Sequence, residues 1–596
     1  MSETPLLTTS DAKPHDALPA WYPAWARELA DLYFSGTTCV FVLHGNVHDL
    51  IYCQNDKGEP SYCSLNEFLA AQVFGKWDLV LGYDLSRGLR AMAAGSPDRL
   101  RGMMQYLTGR WGEPAGWPRE PDKILLALDL FIERNLLDDE KNRKSLALIF
   151  DYAQYLISAG DLESLARGNA ARLVKFLSWA QSPLIKRVNM AFVLIVDKLV
   201  EISDRLVNSP HVGTIDIPLP DRTERERFVA QATAGQDLAK LTDFTAPQLV
   251  ELSNGLSLTS LDVVLAQAAK SGRRLDAPRY KQLKKQLLER QCQGLIEFVE
   301  PRHTLELVIG HDDAINRLRD DAAAIQNGHL SLAPMGYLVC GPVGTGKTWL
   351  AECFAGSIGI PCVVLKNFRS KYVGETEGNL EQVLSVLRSL GPVLVIIDEA
   401  DAALGNRQAS GDSGTSSRVF SMIASQMGNT AYRGKIVWML LTSRPDLLPI
   451  DLKRQGRAEV HIPLLYPHTE DSVRKMFQAM AKKNKITLTE GNIPPIDMGR
   501  RLSGADIESV VLTAKRAALT AGRNELTAAD LEAALAEFIP SAQGLEKELQ
   551  EIAAVLECTQ MSFLPPEWQE RVKQPNGRSQ LQERMVAIRQ LLEEGM

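Results

Sequence analysis

The chain has 596 residues, 45% of them apolar and 23% charged, with a formal net charge of −7. This is an ordinary balance for a folded protein of about three to five structural units with sizeable cores. The acidic excess argues against a general nucleic-acid coat, which needs a basic face, although a local basic pore is compatible with it.

Met1 to Ala20 is polar and proline-bearing, lacks an apolar h-region, and reads as a flexible N-terminus rather than a signal peptide. No run of 18 apolar residues occurs, so no membrane insertion is expected. The default location is cytoplasmic. The cysteines Cys39, Cys53, Cys63, Cys292, Cys340, Cys353, Cys362 and Cys558 form no C-x-x-C pair and read mainly as small buried hydrophobes of a reducing compartment.

From residue 21 onward, short apolar runs alternate with helical stretches, the pattern of an α/β parallel sheet followed by a helical piece. The pattern occurs twice. Leu256-Ser-Leu aligns with Leu502-Ser-Gly, the run ending at Asp151 with the run ending at Asp398, and Ile217-Pro-Leu with Ile462-Pro-Leu. All three pairs share a separation of about 246 residues, which argues for a duplicated module. The expected layout is a first module over 21–275, interrupted by an insertion over about 53–117, then a charged helical linker over 276–305. A second α/β domain follows over 306–465, a helical lid over 466–540, and a helical C-terminal tail over 541–596. Trp77, Tyr83 and Trp111 in the insertion are candidate recognition surface. In the tail, Leu581, Met585, Ile588 and Leu591 recur at helical spacing and predict a packed helix. His44 and His48 are spaced i, i+4, but no third metal ligand is evident, so they read as structural.

The second half carries the chemistry. Gly341-Pro342-Val343-Gly344-Thr345-Gly346-Lys347-Thr348 fits G-x-x-x-x-G-K-[ST], between an apolar strand and a helix-like run that begins at Trp349. Glycines let backbone N–H groups converge on phosphate oxygens at a helix N-terminus. Lys347 is placed to neutralise β- and γ-phosphates and Thr348 to ligate Mg²⁺. About fifty residues on, the apolar run Val393–Ile397 ends in Asp398-Glu399. Ligands bind at the carboxyl ends of such parallel strands. Asp398 suits the Mg²⁺ shell, and Glu399 suits activation of an attacking water. The polar, Gly/Ser-rich stretch 405–417 reads as a flexible loop.

With those motifs in place, residues from about Val308 to Ser541 resemble the AAA clade of AAA+ ATPases, the group that includes katanin and spastin. The resemblance implies tandem P-loop AAA+ modules, each a parallel α/β sheet domain with a small helical lid. It gives Val308-Ile309-Gly310 an adenine-contacting role and makes Gly504-Ala505 part of a lid motif beside the base and ribose. Leu440–Asp446 resembles the start of the family's second region of homology. Arg454 and Arg457 match its R-x-G-R arginine-finger segment, and Lys371, Tyr372 and Val373 its first pore loop. The stretch 405–417 lies where its second pore loop lies. Ser443 departs from the pattern, since the sensor position after the fourth strand is usually Asn; a hydroxyl offers fewer hydrogen-bonding groups than an amide.

Set against that pattern, the first half is degenerate. Val40 to Asp49 lacks the Gly-Lys-Thr ending, Tyr152 stands where the second half has Glu399, and Ser203 to Gly213 contains no R-x-G-R. The expected cofactors are ATP and Mg²⁺. The expected assembly is a homo-oligomeric ring, most commonly a hexamer, acting on a protein client by threading. An ATP-gated scaffold or switch with weak hydrolysis is the alternative. A helicase or clamp loader is disfavoured by the acidic balance and the aromatic pore loop.

Overall fold

A computed structural model describes the chain except for residues 1–17, 55–57, 94–95, 161–168, 236, 272–273, 302, 367–374, 405–414, 540–543 and 595–596. It forms two compact units. One comprises residues up to Leu288 together with 370–389, and the other comprises 289–369 with 390 onward.

The first unit contains β1 (Val40–Gly45), β2 (Ile51–Gln54), β3 (Pro60–Cys63), β4 (Leu79–Asp84), β5 (Gly88–Ala91), β6 (Leu146–Phe150), β7 (Met190–Ile195) and β8 (Val212–Ile217). Its main sheet has the order β5-β4-β6-β7-β1-β8, parallel throughout except for β5, which turns back antiparallel on β4. β2 and β3 form a separate hairpin. β6 and β7 are buried along their whole length, as expected of near-continuous apolar strands covered on both faces. A helical cluster after β8 builds its own core from Phe228, Leu249, Leu261 and Tyr280.

The second unit contains β9 (Ile296–Phe298), β10 (Gly336–Cys340), β11 (Cys362–Leu365), β12 (Val393–Ile397), β13 (Ile436–Thr442) and β14 (Val460–Pro463). Their order is β14-β10-β13-β12-β11-β9, with β9 antiparallel at the edge. Five parallel strands therefore follow the same spatial order in both units. Trp438 and Tyr337 are fully buried at the centre of the second sheet, where each large side chain contributes a few kcal/mol of burial. Helices Glu470–Lys483, Gly504–Thr520 and Ala528–Glu537 form a separate small core. Three further helices, Gly544–Glu557, Pro566–Lys573 and Gly577–Glu594, close the chain.

Three expectations are corrected. The stretch 53–117 is not wholly an insertion, because β4 within it takes a central sheet position beside β6. Its short apolar run contains Gly82 and is closely followed by β5, which obscures it in the sequence. Tyr83 is accordingly no recognition surface: it is 2% exposed, and Trp77 and Trp111 are half-buried against the same core. The segment 276–305 is helical only over Ala277–Gln291; Ile296–Phe298 is then captured as a strand by β11. In the tail helix, Leu581 and Ile588 are buried, whereas Leu591 is half exposed and leaves the stripe. Most of the N-terminal segment 1–20 lies outside the described residues.

Candidate nucleotide site

The phosphate loop links β10 to the helix Lys347–Ile358. Two positions demand glycine. A Cβ on Gly341 would lie 2.0 Å from the Leu464 carbonyl oxygen, and Gly346, the helix N-cap, has φ of 90°, in the left-handed region. Lys347 curls into its own loop and donates from Nζ to the carbonyls of Gly341 at 2.9 Å and Pro342 at 3.0 Å. Burial pulls its pKa down, opposed by Cys340, Asp398 and Asp401.

Thr348 Oγ1 donates to Asp398 Oδ2 at 2.9 Å, while Asp398 Oδ1 accepts the Glu399 N–H at 2.8 Å. Glu399 follows β12 with φ of 48°, an uncommon conformation outside glycine that recurs at functional turns. At the end of β13, the buried Thr442 hydroxyl donates to Asp401 Oδ1 at 2.7 Å and accepts the Arg444 N–H at 2.9 Å. Thr442 and Ser443 both line the cavity, the Thr442 hydroxyl being engaged by Asp401 and by the Arg444 N–H.

These groups surround a cavity of about 870 Å³. It is lined by Ile309, Gly310, the loop from Val343 through Gly346, and Lys347, Thr348, Trp349, Asp398, Glu399, Ser443, Gly504 and Ala505. Gly341 and Pro342 support the loop without lining the cavity. Arg454 and Arg457 do not line it either, and no arginine does among the described residues. Arg454 sits 3.5 Å from Asp451 and is mostly exposed; Arg457 donates to the Asp451 carbonyl at 2.8 Å. Lys371, Tyr372 and Val373 lie outside the described residues, as does most of 405–417.

Several lining residues were not legible in the sequence. Lys483 lies 4.8 Å from the centre of the Trp349 ring and 2.9 Å from Glu508, so the lid meets the phosphate-loop helix through a cation–π contact. His311, partly buried in the wall, has its pKa pushed down to about 4 by burial. Asp401, Phe563, Leu564 and Gln569 also line it. Asp401 lies two residues beyond the acidic pair, but the tail residues carried no local signal.

The first unit is built differently at the corresponding place. After β1, the chain passes into the β2–β3 hairpin rather than a helix. Asp49 turns toward the helix Leu258–Ser271, where its carboxylate accepts N–H groups from Leu258 at 2.9 Å and Thr259 at 2.7 Å, and the Thr259 hydroxyl at 2.9 Å. Asn46 Nδ2 also donates to it at 2.8 Å. An anionic side chain therefore occupies a helix N-terminus that favours negative charge. His48 bonds Asp197 at 2.6 Å, which raises its pKa, and stacks on Tyr152 with ring centres 5.4 Å apart. His44 is buried 3.7 Å from Asp216. No cluster of three metal-ligating side chains occurs among the described residues.

The sheet order, phosphate loop and acidic pair of the second unit are those of a nucleotide-binding ATPase module of the AAA+ class. Residues 337–466 match the ATPase family associated with various cellular activities (AAA). Residues 14–218 match the N-terminal Rossmann-like domain of an AAA+ chaperone, and 223–293 its second helical domain. The chain is 25% identical over 329 residues to a cell division cycle protein 48 homolog of Archaeoglobus fulgidus, covering 50% of this chain and 44% of the relative. It is 23% identical over 440 residues to the uncharacterized AAA domain-containing protein ycf46 of Pyropia yezoensis, covering 72% and 84% respectively. A 32% identity over 197 residues links it to the peroxisomal ATPase pex6 of Schizosaccharomyces pombe, covering 32% of this chain and 21% of that one. The matches thus span less than half of the archaeal and yeast relatives but most of ycf46. Among the described residues, no helix is long and apolar enough to cross a membrane.

Proposed function

We propose that this ATPase assembles through its second half into a homo-oligomeric ring, a hexamer by the family pattern, and uses hydrolysis to remodel, unfold or disassemble a protein client. The observation that carries the ring is that no arginine lines the cavity among the described residues. Lys347, Thr348, Asp398, Glu399 and Ser443 line it, whereas Arg454 and Arg457 lie elsewhere on the same unit. A γ-phosphoryl transition state spreads negative charge that a guanidinium stabilises. Here that group comes from a neighbouring copy.

Within the site, Lys347 exchanges its loop carbonyls for phosphate oxygens, and Glu399 orients and deprotonates the attacking water. Gly310 and Ile309 face the base, with Gly504 and Ala505 closing from the lid. The Thr348 hydroxyl and Asp398 carboxylate, 2.9 Å apart, fit the hard oxygen set that Mg²⁺ takes. Bound there, the ion would supply charge neutralisation between β- and γ-phosphates. The domain reading is 306–465 for the catalytic α/β domain and 466–540 for its lid. The first unit is read as a degenerate module: no Gly-Lys-Thr follows β1, and Tyr152 stands where the second unit has Glu399, so it serves as a structural or docking element.

The match of residues 14–218 and 223–293 to domains of an AAA+ chaperone supports work on proteins, and the katanin- and spastin-like pattern at Lys371-Tyr372-Val373 supports threading. Ser443 favours a second reading, an ATP-gated scaffold with slow turnover. The test is a pull-down with Glu399→Gln held in ATP, compared with Glu399→Gln/Tyr372→Ala. A partner lost with Tyr372 identifies a threaded client; a partner retained in both supports the scaffold.

A further inference from the structure

The closing helix Gly544–Glu557 is buried all round over Leu549, Gln550, Glu551, Ile552, Ala553, Ala554 and Val555. Its contacts fall on the parts of the second unit that bear the nucleotide site. Gln550 Oε1 accepts the Val343 N–H of the phosphate loop at 3.0 Å, from a side chain only 4% exposed. Glu551 pairs at 2.9 Å with Arg501, which lies immediately before the lid helix Gly504–Thr520. Two turns after Gln550, Glu557 meets Lys453, at the end of the short helix preceding Arg454. His461 of β14 is bound through Nδ1 to the Glu557 carbonyl at 2.8 Å. The helix is therefore fixed at its middle and its C-terminal end by groups other than the phosphate loop, and its one polar contact with that loop is the Gln550 amide among the described residues.

We infer that Gln550 is a positioning residue for ATP binding: its carbonyl oxygen holds the first half of the phosphate loop in the shape that receives phosphate. The loop's glycines remove the side-chain packing that would otherwise fix its backbone. Val343 itself projects into solvent, 61% exposed, and cannot anchor the segment by burial. An acceptor on a rigid buried helix fixes the Val343 N–H without covering the cavity face of the loop. Losing one such bond is worth roughly 3- to 10-fold in an equilibrium, and here it falls on nucleotide affinity rather than on chemistry, because Gln550 is not among the residues lining the cavity.

This inference rests on the cavity being the ATP site, which Lys347→Ala tests separately by abolishing nucleotide binding. The decisive variant is Gln550→Met, which keeps length and burial but removes the acceptor. On the full chain, we expect KM for ATP to rise roughly 3- to 10-fold, with kcat within about 2-fold and the nucleotide-free melting temperature nearly unchanged. Gln550→Glu retains an acceptor oxygen and should preserve the loop's amide-exchange protection at Val343 even though its charge repels phosphate. The inference is overturned if Gln550→Met leaves KM unchanged. It is equally overturned if KM and melting temperature worsen together in both variants, as a purely structural role requires.

Discussion

Tyr152 and Glu399 hold the same backbone position in their respective sheets. Each directly follows an aspartate after a buried strand, β6 or β12, and each adopts a left-handed conformation, with φ of 53° and 48°. Each also donates its N–H to the carboxylate of that aspartate, at 3.1 and 2.8 Å. The first unit thus has the same turn that presents the Glu399 carboxylate in the second, while carrying an aromatic ring there. That ring stacks on His48 and cannot accept a proton from water.

All turnover is therefore expected from the second unit. Lys347→Ala should abolish nucleotide binding, and Glu399→Gln should retain ATP while slowing hydrolysis by about 10²–10⁴, the usual share of a general base. Tyr152→Phe should leave kcat within about 2-fold, since Tyr152 offers no general base where the second unit has Glu399. Steady-state phosphate release with equilibrium nucleotide binding checks all three; appreciable hydrolysis by Lys347→Ala would place a second active site in the first unit.

Arg454→Ala and Arg457→Ala should each leave ATP affinity within about 3-fold while cutting turnover by about 10³ or more. If the arginines act on a neighbour, mixing Arg454→Ala with Lys347→Ala subunits should recover part of the activity, because each supplies what the other lacks. Activity that stays at the level of the inactive parents would argue for action within one chain.

Asp49→Ala strips the N–H groups of Leu258 and Thr259 of their acceptor. Uncapping a buried helix end costs about 1–3 kcal/mol, and the loss should be local. Amide exchange at the start of the helix Leu258–Ser271 should quicken by roughly 10- to 100-fold, with ATP turnover in the second unit unchanged. Unaltered exchange would show that the carboxylate does not hold that helix.

His311 gives a pH dependence of known sign. Its imidazole titrates near 4 when folded and near the ordinary 6.5 when unfolded. The unfolded chain therefore binds the extra proton first on acidification. The contribution to stability is fully present above about pH 6.5 and is lost as pH falls toward 4. His311→Asn suits the left-handed backbone at this position, φ 58°, and removes the titration. Melting temperature measured from pH 7.5 to 5 should fall more steeply in the natural protein than in His311→Asn; equal slopes would refute the assignment.

The sequence alone determined the phosphate loop, the acidic pair after a buried strand, the serine after β13 and the repetition of an α/β module. These are local features: backbone contact with phosphate demands particular residues at fixed spacing, and a strand buried on both faces demands an unbroken apolar run. Tertiary structure decided what depends on residues distant in sequence. Asp49 became the cap of a helix some 210 residues away, Tyr83 entered a sheet core rather than a surface, and Ile296–Phe298 became a strand because β11 offered an open edge. Gln550 likewise reached the phosphate loop from 207 positions downstream. A single hydrogen bond between such partners leaves no periodicity in either segment, so only the folded chain brings it into view.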